Sequence, residues 1–257
     1  MKMAVFECGS SSYRLHRSVR TAKVQWRGKA VAAATALKEA IIKQTALFHT
    51  HREGGATMIE HHGWQVASFF TTPADEAART RESVGLADVS WMSKFNLQGH
   101  GLKNPPDLGP EAFLWPLGRL QSLVTCEPAA GAAVKQRLQQ FQKNATDAFL
   151  PAPIYVTEVT SVYAQLLLAG PRSRDVLNKL TSLDLSESAR GNLTCAQATV
   201  AHVHAIVLRQ DLAGILAYHL LVGRDYGESV WESVLHAGHE FQITPFGLQA
   251  LRQLQGQ

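Results

Sequence analysis

The sequence predicts an α+β fold made of two similar β-rich halves, with helices packed on antiparallel sheets. Segments that alternate apolar and polar residues, typical of strands, are interleaved with amphipathic helical patterns. Two internal likenesses indicate a duplication: residues 87–99 resemble residues 157–170, and residues 121–138 resemble residues 218–235. The second pair predicts in both copies a strand, a turn and a helix. Such a repeat favours a duplicated unit, whereas short apolar strands can also resemble one another by chance.

The first likeness depends on two matching tripeptides, Asp88-Val89-Ser90 and Glu158-Val159-Thr160, and each run ends in a glycine. We therefore predict one main domain over residues 36–257, made of two halves of about 58–150 and 151–257.

In the first half, the Ala-rich residues 30–48 predict a helix that ends before the glycine pair at 54–55. Thr72-Pro73 is typical of an N-cap and a first helical position, so a second helix is expected, closed by Gly85.

The rest of this half alternates between strands, loops and a helix. Residues 86–99 predict a strand, and the Gly- and Pro-rich residues 99–116 predict a loop. A strand, a helix and a loop are then expected over residues 117–127, 128–142 and 143–153.

In the second half, residues 155–170 predict either one long strand or a strand pair. Residues 171–183 predict a helix that begins at a proline, and residues 195–210 are β-rich. A strand over residues 217–223 and a helix over residues 225–238 complete the pattern.

Composition and charge exclude several classes of protein. The chain of 257 residues has a formal net charge of +4, and its basic residues crowd the first 35 positions. Because no basic stripe follows, we expect no nucleic-acid partner. The sequence has no run of about 18 apolar residues, so we expect no membrane association. Residues 1–35 are expected to be an N-terminal extension that is poorly structured or partly helical, although a basic, Ser-containing start is also compatible with a transit peptide.

The cysteines and histidines predict neither disulfides nor a metal site. The three cysteines form no CxxC pair, which favours a reducing compartment and a cytoplasmic location. His202 and His204 would lie on one side of a strand, as two metal ligands can, but no acid or cysteine completes a zinc set. The sequence also has no Gly-x-Ser-x-Gly elbow and no phosphate-cradling glycine loop.

Several segments resemble the glycine-cleavage T-protein (aminomethyltransferase) family. Residues 80–99 are similar to the family signature VREAVGLFDVSHM, and residues 166–180 are similar to its QGPKA…VL strand and helix. Residues 45–70, with Gly63-Trp64, resemble its opening helix and Gly-Trp segment, and residues 238–254 resemble its GIKPAGLGARDTLR segment.

The resemblance covers about residues 45–254, and residues 157–235 also resemble the gamma subunit of heterotetrameric sarcosine oxidase. It implies a folate-binding-type domain with a tetrahydrofolate pocket between the halves. The C-terminal barrel domain of the full enzyme is expected to be absent from this sequence.

The family's catalytic motifs are poorly matched. Where the family has LNxxGGIxDD, with its catalytic aspartate, this chain has the Gly/Pro loop, and the nearby Asp107 and Glu111 lie outside any matching motif. Where the family has RTGYTGE, whose glutamate contacts the pterin, this chain has RQDLAGI, with Leu212 and Ile215 at the tyrosine and glutamate positions. An isoleucine cannot accept the paired hydrogen bonds that a carboxylate accepts. We therefore predict that the catalytic residues are missing.

Four residues remain as candidates for a pocket: Met92, Asp88, Arg209 and Arg252. Met92 stands at the place of the family's pocket methionine, but methionine also fills cores. Asp88 orients a ligand or bonds its local backbone. Arg209 meets an anionic ligand or forms an ion pair, and Arg252 contacts a ligand or faces solvent.

Two functions follow from the resemblance. The first is a folate-binding protein of one-carbon metabolism, related to aminomethyltransferase, that lacks the catalytic residues. The alternative is a non-catalytic accessory subunit of a sarcosine oxidase-like complex, with oxidase-like subunits as partners. A concave pocket with carboxylates favours the first function, and exposed apolar patches favour the second.

Overall fold

The computed structural model describes residues 42–103, 106–146 and 153–256, and Lys43–Gln257 is one compact unit. The predicted extension over residues 1–35 lies outside the described residues, so it stays a prediction, as do the predicted domain boundaries.

Strands and helices alternate along the described chain. The strands are β1 (Lys43–Gln44), β2 (Thr57–His61), β3 (Trp64–Phe69), β4 (Gly85–Asp88), β5 (Ser93–Gly99), β6 (Ala112–Gly118), β7 (Gln121–Cys126), β8 (Ile154–Glu158), β9 (Tyr163–Ala169), β10 (Thr194–Val200), β11 (Val203–Arg209), β12 (Ala217–Gly223) and β13 (Thr244–Pro245). The α-helices are α1 (Phe48–Glu53), α2 (Pro73–Glu82), α3 (Pro128–Thr146), α4 (Ser173–Asn178), α5 (Gly227–Gly238) and α6 (Leu248–Gln255). Short 3₁₀ turns occupy His100–Lys103, Arg224–Tyr226 and His239–Phe241.

Within the described residues the strands form three sheets. The largest has six strands in the order β10-β11-β12-β9-β4-β13, the second has four in the order β6-β7-β5-β8, and the smallest is β1-β3-β2. The pairs β10–β11, β11–β12, β12–β9 and β9–β4 are antiparallel, as are the three pairs of the four-stranded sheet. The predicted α+β fold with antiparallel sheets and helices is confirmed.

The two halves exchange strands between the two large sheets. β4 belongs to the six-stranded sheet, and β5, only five residues further on, belongs to the four-stranded sheet. β8 and β9 make the same crossing in the opposite direction. Residues 86–99 and 155–170 are therefore strand pairs whose members lie in different sheets, and the single strand predicted over residues 86–99 is wrong.

Matching backbone hydrogen bonds hold the two crossings together. Val89 donates its N–H to the carbonyl oxygen of Gln165 at 2.8 Å, and Val159 donates to that of Lys94 at 2.9 Å. The valines belong to the two tripeptides that the sequence aligned. The internal likeness thus corresponds to a real pseudo-symmetry at the point where the chain passes from one sheet to the other.

Hydroxyl groups complete the same pattern. Ser90 Oγ accepts a hydrogen bond from the backbone N–H of Gln165 at 2.9 Å, and Thr160 Oγ1 accepts one from the N–H of Lys94 at 3.1 Å. Both hydroxyls are buried, so each satisfies a backbone donor that no strand neighbour reaches. A serine or threonine at these positions is therefore required by the crossing itself.

Some predicted element boundaries differ from the structure. A helix was predicted over residues 30–48. Within the described part of this range, Lys43–Gln44 instead forms β1, which pairs with β3, and α1 begins only at Phe48. Pairing with a neighbouring strand here overrides helix propensity. The predicted loop over residues 99–116 ends earlier, at β6, since Ala112–Gly118 pairs with β7 despite containing Pro116. β6 is an edge strand of its sheet, where proline is tolerated.

Helix α2 begins as predicted. Thr72 accepts a hydrogen bond from the N–H of Asp75 at 3.2 Å, with Pro73 in the first turn. The helix ends at Glu82, and Gly85 is the first residue of β4 instead of the helix stop. A side chain at Gly85 would meet Thr80 Oγ1 at 2.2 Å, so this position needs a glycine for close packing.

An apolar cluster fills the space between the two large sheets. It contains Trp115 and Leu123 from the four-stranded sheet and Ile206, Leu208 and Leu221 from the six-stranded sheet, all buried. Burying aromatic and aliphatic side chains of this size contributes about 1.5–3 kcal/mol each. This cluster fixes the distance between the sheets and therefore the width of any cavity beside it.

A buried carboxylate joins α2 to the chain before α6. Glu76 is fully buried, and its carboxylate accepts backbone hydrogen bonds from Phe70 at 2.5 Å, Thr71 at 2.7 Å and Gly247 at 2.9 Å. Gly247 can approach because it has no side chain: a Cβ there would lie 2.3 Å from the carbonyl oxygen of Ser68.

We expect the substitution Glu76→Gln to lower the free energy of unfolding by about 3 kcal/mol. The amide keeps one acceptor oxygen but presents N–H groups to backbone donors, which are left unpaired. Urea denaturation followed by circular dichroism measures the change. Glu82→Gln, an exposed position on the same helix, is the matched control. Equal midpoints for the two variants would contradict this role of Glu76.

Candidate functional site

A cavity of about 380 Å³ opens beside the crossing of β4 and β5, at one end of the space between the large sheets. We call it the Met92 cavity. Its apolar lining includes Val89, Met92, Phe113, Leu167, Leu212 and Leu251. Its polar lining consists of Glu111, Cys126, Glu127, Gln210, His219 and Gln255. A mostly apolar cavity with a few polar groups is the usual form of a small-molecule site.

Two carboxylates in this cavity have no hydrogen bond or ion pair among the described residues. They belong to Glu111, directly before β6, and to Glu127, between β7 and α3. Burial raises the pKa of Glu127, whereas the positive charges of His62 and Arg252 act in the opposite direction. Of the two carboxylates that the sequence analysis noted, Asp107 and Glu111, Glu111 lines the cavity.

Asp107 does not line it. Its carboxylate is exposed and accepts a hydrogen bond from the N–H of Gly109 at 2.9 Å, which is a local turn contact.

A fully buried lysine lies behind Met92. Lys94 Nζ donates to the carbonyl oxygens of Ser90 at 3.0 Å and Met92 at 2.7 Å, and so closes the turn that carries Met92. Burial lowers the pKa of Lys94 to about 7, although the charges of Asp88 and Cys126 act in the opposite direction. Burial also raises the pKa of the Cys126 thiol to about 11, against a hydrogen bond from Ser93.

A histidine and a glutamine connect this turn with the cavity. Gln165 Nε2 lies 3.0 Å from His219 Nδ1 and 3.7 Å from Met92 Sδ. Burial, followed by the positive charge of Lys94, lowers the pKa of His219 to about 4. The imidazole is therefore neutral near pH 7.

Of the four predicted candidates, Met92 lines the cavity. It is 8% exposed and also belongs to a core cluster, so its two proposed roles coexist. Arg252 is exposed on α6 and is not among the residues that line the cavity, although its charge opposes the burial that raises the pKa of Glu127, which does line it.

Asp88 is buried away from the cavity lining. Its Oδ1 accepts from the N–H of Ser90 at 2.9 Å and from Ser90 Oγ at 2.5 Å, and its Oδ2 lies 3.4 Å from His51 Nε2. Burial acts to raise the pKa of Asp88, but the His51 contact and the Ser90 hydrogen bond outweigh it and hold the pKa below its usual value. These contacts match the local-backbone interpretation of Asp88.

Arg209 is also engaged within the protein. Its guanidinium pairs with Asp211 at 3.0 and 3.1 Å, with Glu187 at 2.5 Å, and with the carbonyl oxygen of Arg190 at 2.6 Å. These partners, Asp211 foremost, raise the pKa of Arg209 further. Arg209 is 6% exposed and does not line the cavity, so the structure separates it from Met92.

Residues 209–215, which the resemblance aligned with the RTGYTGE motif, form a tight turn. Leu212 and Ile215 exchange backbone hydrogen bonds of 2.8 Å, and Ala213 and Gly214 both have positive φ. Leu212 lines the cavity, whereas Ile215 packs against the core cluster beside it. An apolar wall therefore occupies the place of this motif.

Sequence reasoning missed Glu127, Gln165 and His219. Glu127 was detectable as an acid directly before the α3 N-terminus, and His219 as a polar residue in an apolar strand. Gln165 carries the same signal in the apolar strand β9, but no local signal predicts its contact with His219, 54 residues away.

His202 and His204 lie outside the lining of the Met92 cavity. His202 lies in the β10–β11 turn with φ of 66°, so it does not share a strand face with His204, contrary to the prediction. His202, His236 and His239 line a larger surface groove of about 1060 Å³. Over residues 42–103, 106–146 and 153–256, no group of three potential metal-ligating side chains was found. In the same residues, no helix combines the length and apolar character needed to cross a bilayer.

Comparisons with known proteins agree on one class, the aminomethyltransferase-like proteins. Aminomethyltransferase of Acidobacterium capsulatum is 28% identical over 240 residues, covering 84% of this chain and 62% of that protein. Sarcosine oxidase subunit alpha of Rhizobium meliloti is 25% identical over 250 residues, covering 83% of this chain and 25% of that protein. This chain thus spans less than two thirds of the length of these relatives.

Solved structures show the same fold. Glycine cleavage system aminomethyltransferase T from Bartonella henselae superposes with a TM-score of 0.64 and 17% identity, over 83% of this chain and 62% of that one. Heterotetrameric sarcosine oxidase from Corynebacterium sp. U-96 gives a TM-score of 0.50 and 20% identity, over 66% of this chain and 92% of that one.

The GCVT N-terminal domain model matches residues 121–256, more than half of the chain. The chain belongs to this family, that of the glycine-cleavage T-protein, and the predicted family membership is confirmed.

We expect the titration of Lys94 to make the free energy of unfolding depend on pH. Because its pKa in the folded protein, about 7, lies below the unfolded value of 10.5, the unfolded state holds the extra proton between these pH values. Stability therefore rises with pH across this window. Relative to Lys94→Met, the wild type should gain on the order of 3 kcal/mol between pH 7 and 10. Urea unfolding at several pH values measures the difference.

Lys135→Met, at a half-exposed lysine on α3, is the control and should show no such trend. A constant difference between wild type and Lys94→Met would show that Lys94 stays charged when folded.

Proposed function

We propose that this chain binds tetrahydrofolate or a closely related reduced pterin in the Met92 cavity, as a protein of one-carbon metabolism. The observation that carries the proposal is the combination of apolar walls with two carboxylates, the half-buried Glu127 and the exposed Glu111, that have no hydrogen bond or ion pair among the described residues. A pterin ring has apolar faces and an edge of N–H donors, and a carboxylate is the group that binds such an edge most strongly. The residues present therefore fit the ligand that the family implies.

The volume supports the same ligand. A cavity of about 380 Å³ holds a bicyclic ring with part of its side chain and lies within the usual range of small-molecule sites. Arg252 carries a positive charge that acts on Glu127, which favours an anionic tail outside the cavity. Cys126 and Cys195 are free thiols, so we further propose that the protein acts in the reducing cytoplasm.

We also propose that the chain does not transfer the aminomethyl group. The support is the apolar turn at Leu212 and Ile215, which replaces the glutamate of the family motif, and the absence of a match to the aspartate motif in the sequence. Mixed with tetrahydrofolate and the aminomethyl donor of the glycine cleavage reaction, the chain should leave the folate unconverted. Turnover above the uncatalysed rate would refute this part of the proposal.

Anaerobic calorimetric titration with tetrahydrofolate tests the binding. We expect one saturable site with a micromolar Kd, and a loss of about tenfold for Glu127→Gln, because one charged acceptor is replaced by a neutral amide. Glu111→Gln should weaken binding in the same direction. Asp107→Asn, a neighbouring carboxylate outside the cavity lining, is the matched control and should bind like wild type. If no saturation occurs up to about 1 mM, the proposal fails.

A second candidate function, an accessory subunit of a sarcosine oxidase-like complex, is favoured by the likeness to sarcosine oxidase subunit alpha, which covers 83% of this chain. Tyr155, 64% exposed on the edge strand β8, offers an apolar contact for a partner. Light scattering of the protein purified from its natural source distinguishes the two functions. A larger complex that contains oxidase subunits is expected for the accessory role, and a free monomer contradicts it.

A further inference from the structure

His219 occupies an unusual place for a polar residue. It lies in β12, in the middle of the six-stranded sheet, opposite Leu208 on β11 and Leu167 on β9. Its strand neighbours Tyr218 and Leu220 face the opposite side and belong to the largest core cluster. The histidine side chain is 3% exposed and lines the Met92 cavity. An apolar residue would fill this position at lower cost, because burying a polar ring requires partners.

The ring has one partner within the described residues. Gln165 Nε2 lies 3.0 Å from His219 Nδ1, and its second amide proton points toward Met92 Sδ at 3.7 Å. With the amide nitrogen facing the ring, Nδ1 accepts, so the proton of the neutral imidazole resides on Nε2. The opposite amide orientation would place an oxygen, which donates nothing, against the Met92 sulfur.

His219 Nε2 is free to meet a ligand. It has no hydrogen bond among the described residues. It is also not one of the fully buried side-chain atoms that lack a partner, so it remains accessible from the cavity; Gln165 Oε1, by contrast, is fully buried without a partner. A neutral imidazole N–H that faces a cavity can donate a hydrogen bond to an acceptor on a bound ligand. Burial, with a smaller contribution from Lys94, lowers the pKa of His219 and keeps the ring neutral near pH 7.

We propose that His219 is a ligand-contacting, specificity-determining residue that donates a hydrogen bond from Nε2 into the cavity, and that Gln165 is the positioning residue that fixes this tautomer. This inference rests on the proposed function, because it assumes that the cavity holds a ligand. It also sharpens the class of ligand. Glu111 and Glu127 accept hydrogen bonds and His219 donates one, so the complementary ligand has a carbonyl or ring-nitrogen acceptor beside N–H donors, as an amino-substituted lactam ring does.

The tautomer is measurable in the free protein. With ¹⁵N-labelled histidine, NMR should assign to His219 a protonated Nε2 and an unprotonated Nδ1 near pH 7. In Gln165→Glu, the carboxylate accepts from Nδ1–H, so the assignment should reverse. A protonated Nδ1 in the wild type would overturn the proposal before any ligand is added, even if Gln165→Glu does not fold.

Two near-isosteric variants test the ligand contact with tetrahydrofolate as the probe. His219→Gln places an amide N–H near the position of Nε2, whereas His219→Asn reaches only to the position of Nδ1. We expect His219→Asn to weaken binding by about tenfold, and His219→Gln to restore most of it. Equal affinity of wild type and His219→Asn would overturn the role of His219. No binding to the wild type would instead overturn the proposed function, so the two failures are distinguishable.

Discussion

The structure depends on the two places where the chain crosses between its large sheets. At each crossing a valine N–H and a buried hydroxyl satisfy the backbone of a residue from the other half: Val89 and Ser90 bond Gln165, and Val159 and Thr160 bond Lys94. All four bonds join residues that are at least 65 positions apart in the sequence, so they lock the halves into one register. Loss of either hydroxyl would leave a buried backbone donor unpaired at the junction of the sheets.

The crossings also explain why the cavity lies where it does. A turn must follow each crossing, and the turn after β4 carries Met92 into the gap between the sheets. Lys94 closes that turn from behind through two main-chain carbonyl oxygens, and Gln165 reaches from the opposite crossing to His219. The pseudo-symmetric residues Lys94 and Gln165 therefore perform different tasks: one secures the turn, and the other orients a side chain that faces the cavity.

Sequence reasoning recovered the fold class, the internal duplication and most helices, because these depend on periodicity, capping residues and aligned tripeptides. It misjudged β6, since a proline in an edge strand resembles a loop. It treated residues 86–99 as one strand and left residues 155–170 open between one strand and a strand pair. The candidate site was harder to predict. Arg209 and Asp88 stand in segments that resemble the family's motifs, but both side chains bind partners within the protein. Glu127 and His219 gain their place only from tertiary contacts that bring distant strands together.

The buried carboxylate of Glu76 has a consequence for how the molecule folds. One of its three backbone donors, Gly247, is 171 residues away along the chain. Any state in which α2 is packed but residue 247 is not docked holds a buried charge with an incomplete set of donors, which is costly. Partly folded forms of this kind are therefore sparsely populated. The buried charge of Glu76 thus favours cooperative unfolding, in which α2 and α6 lose their structure together.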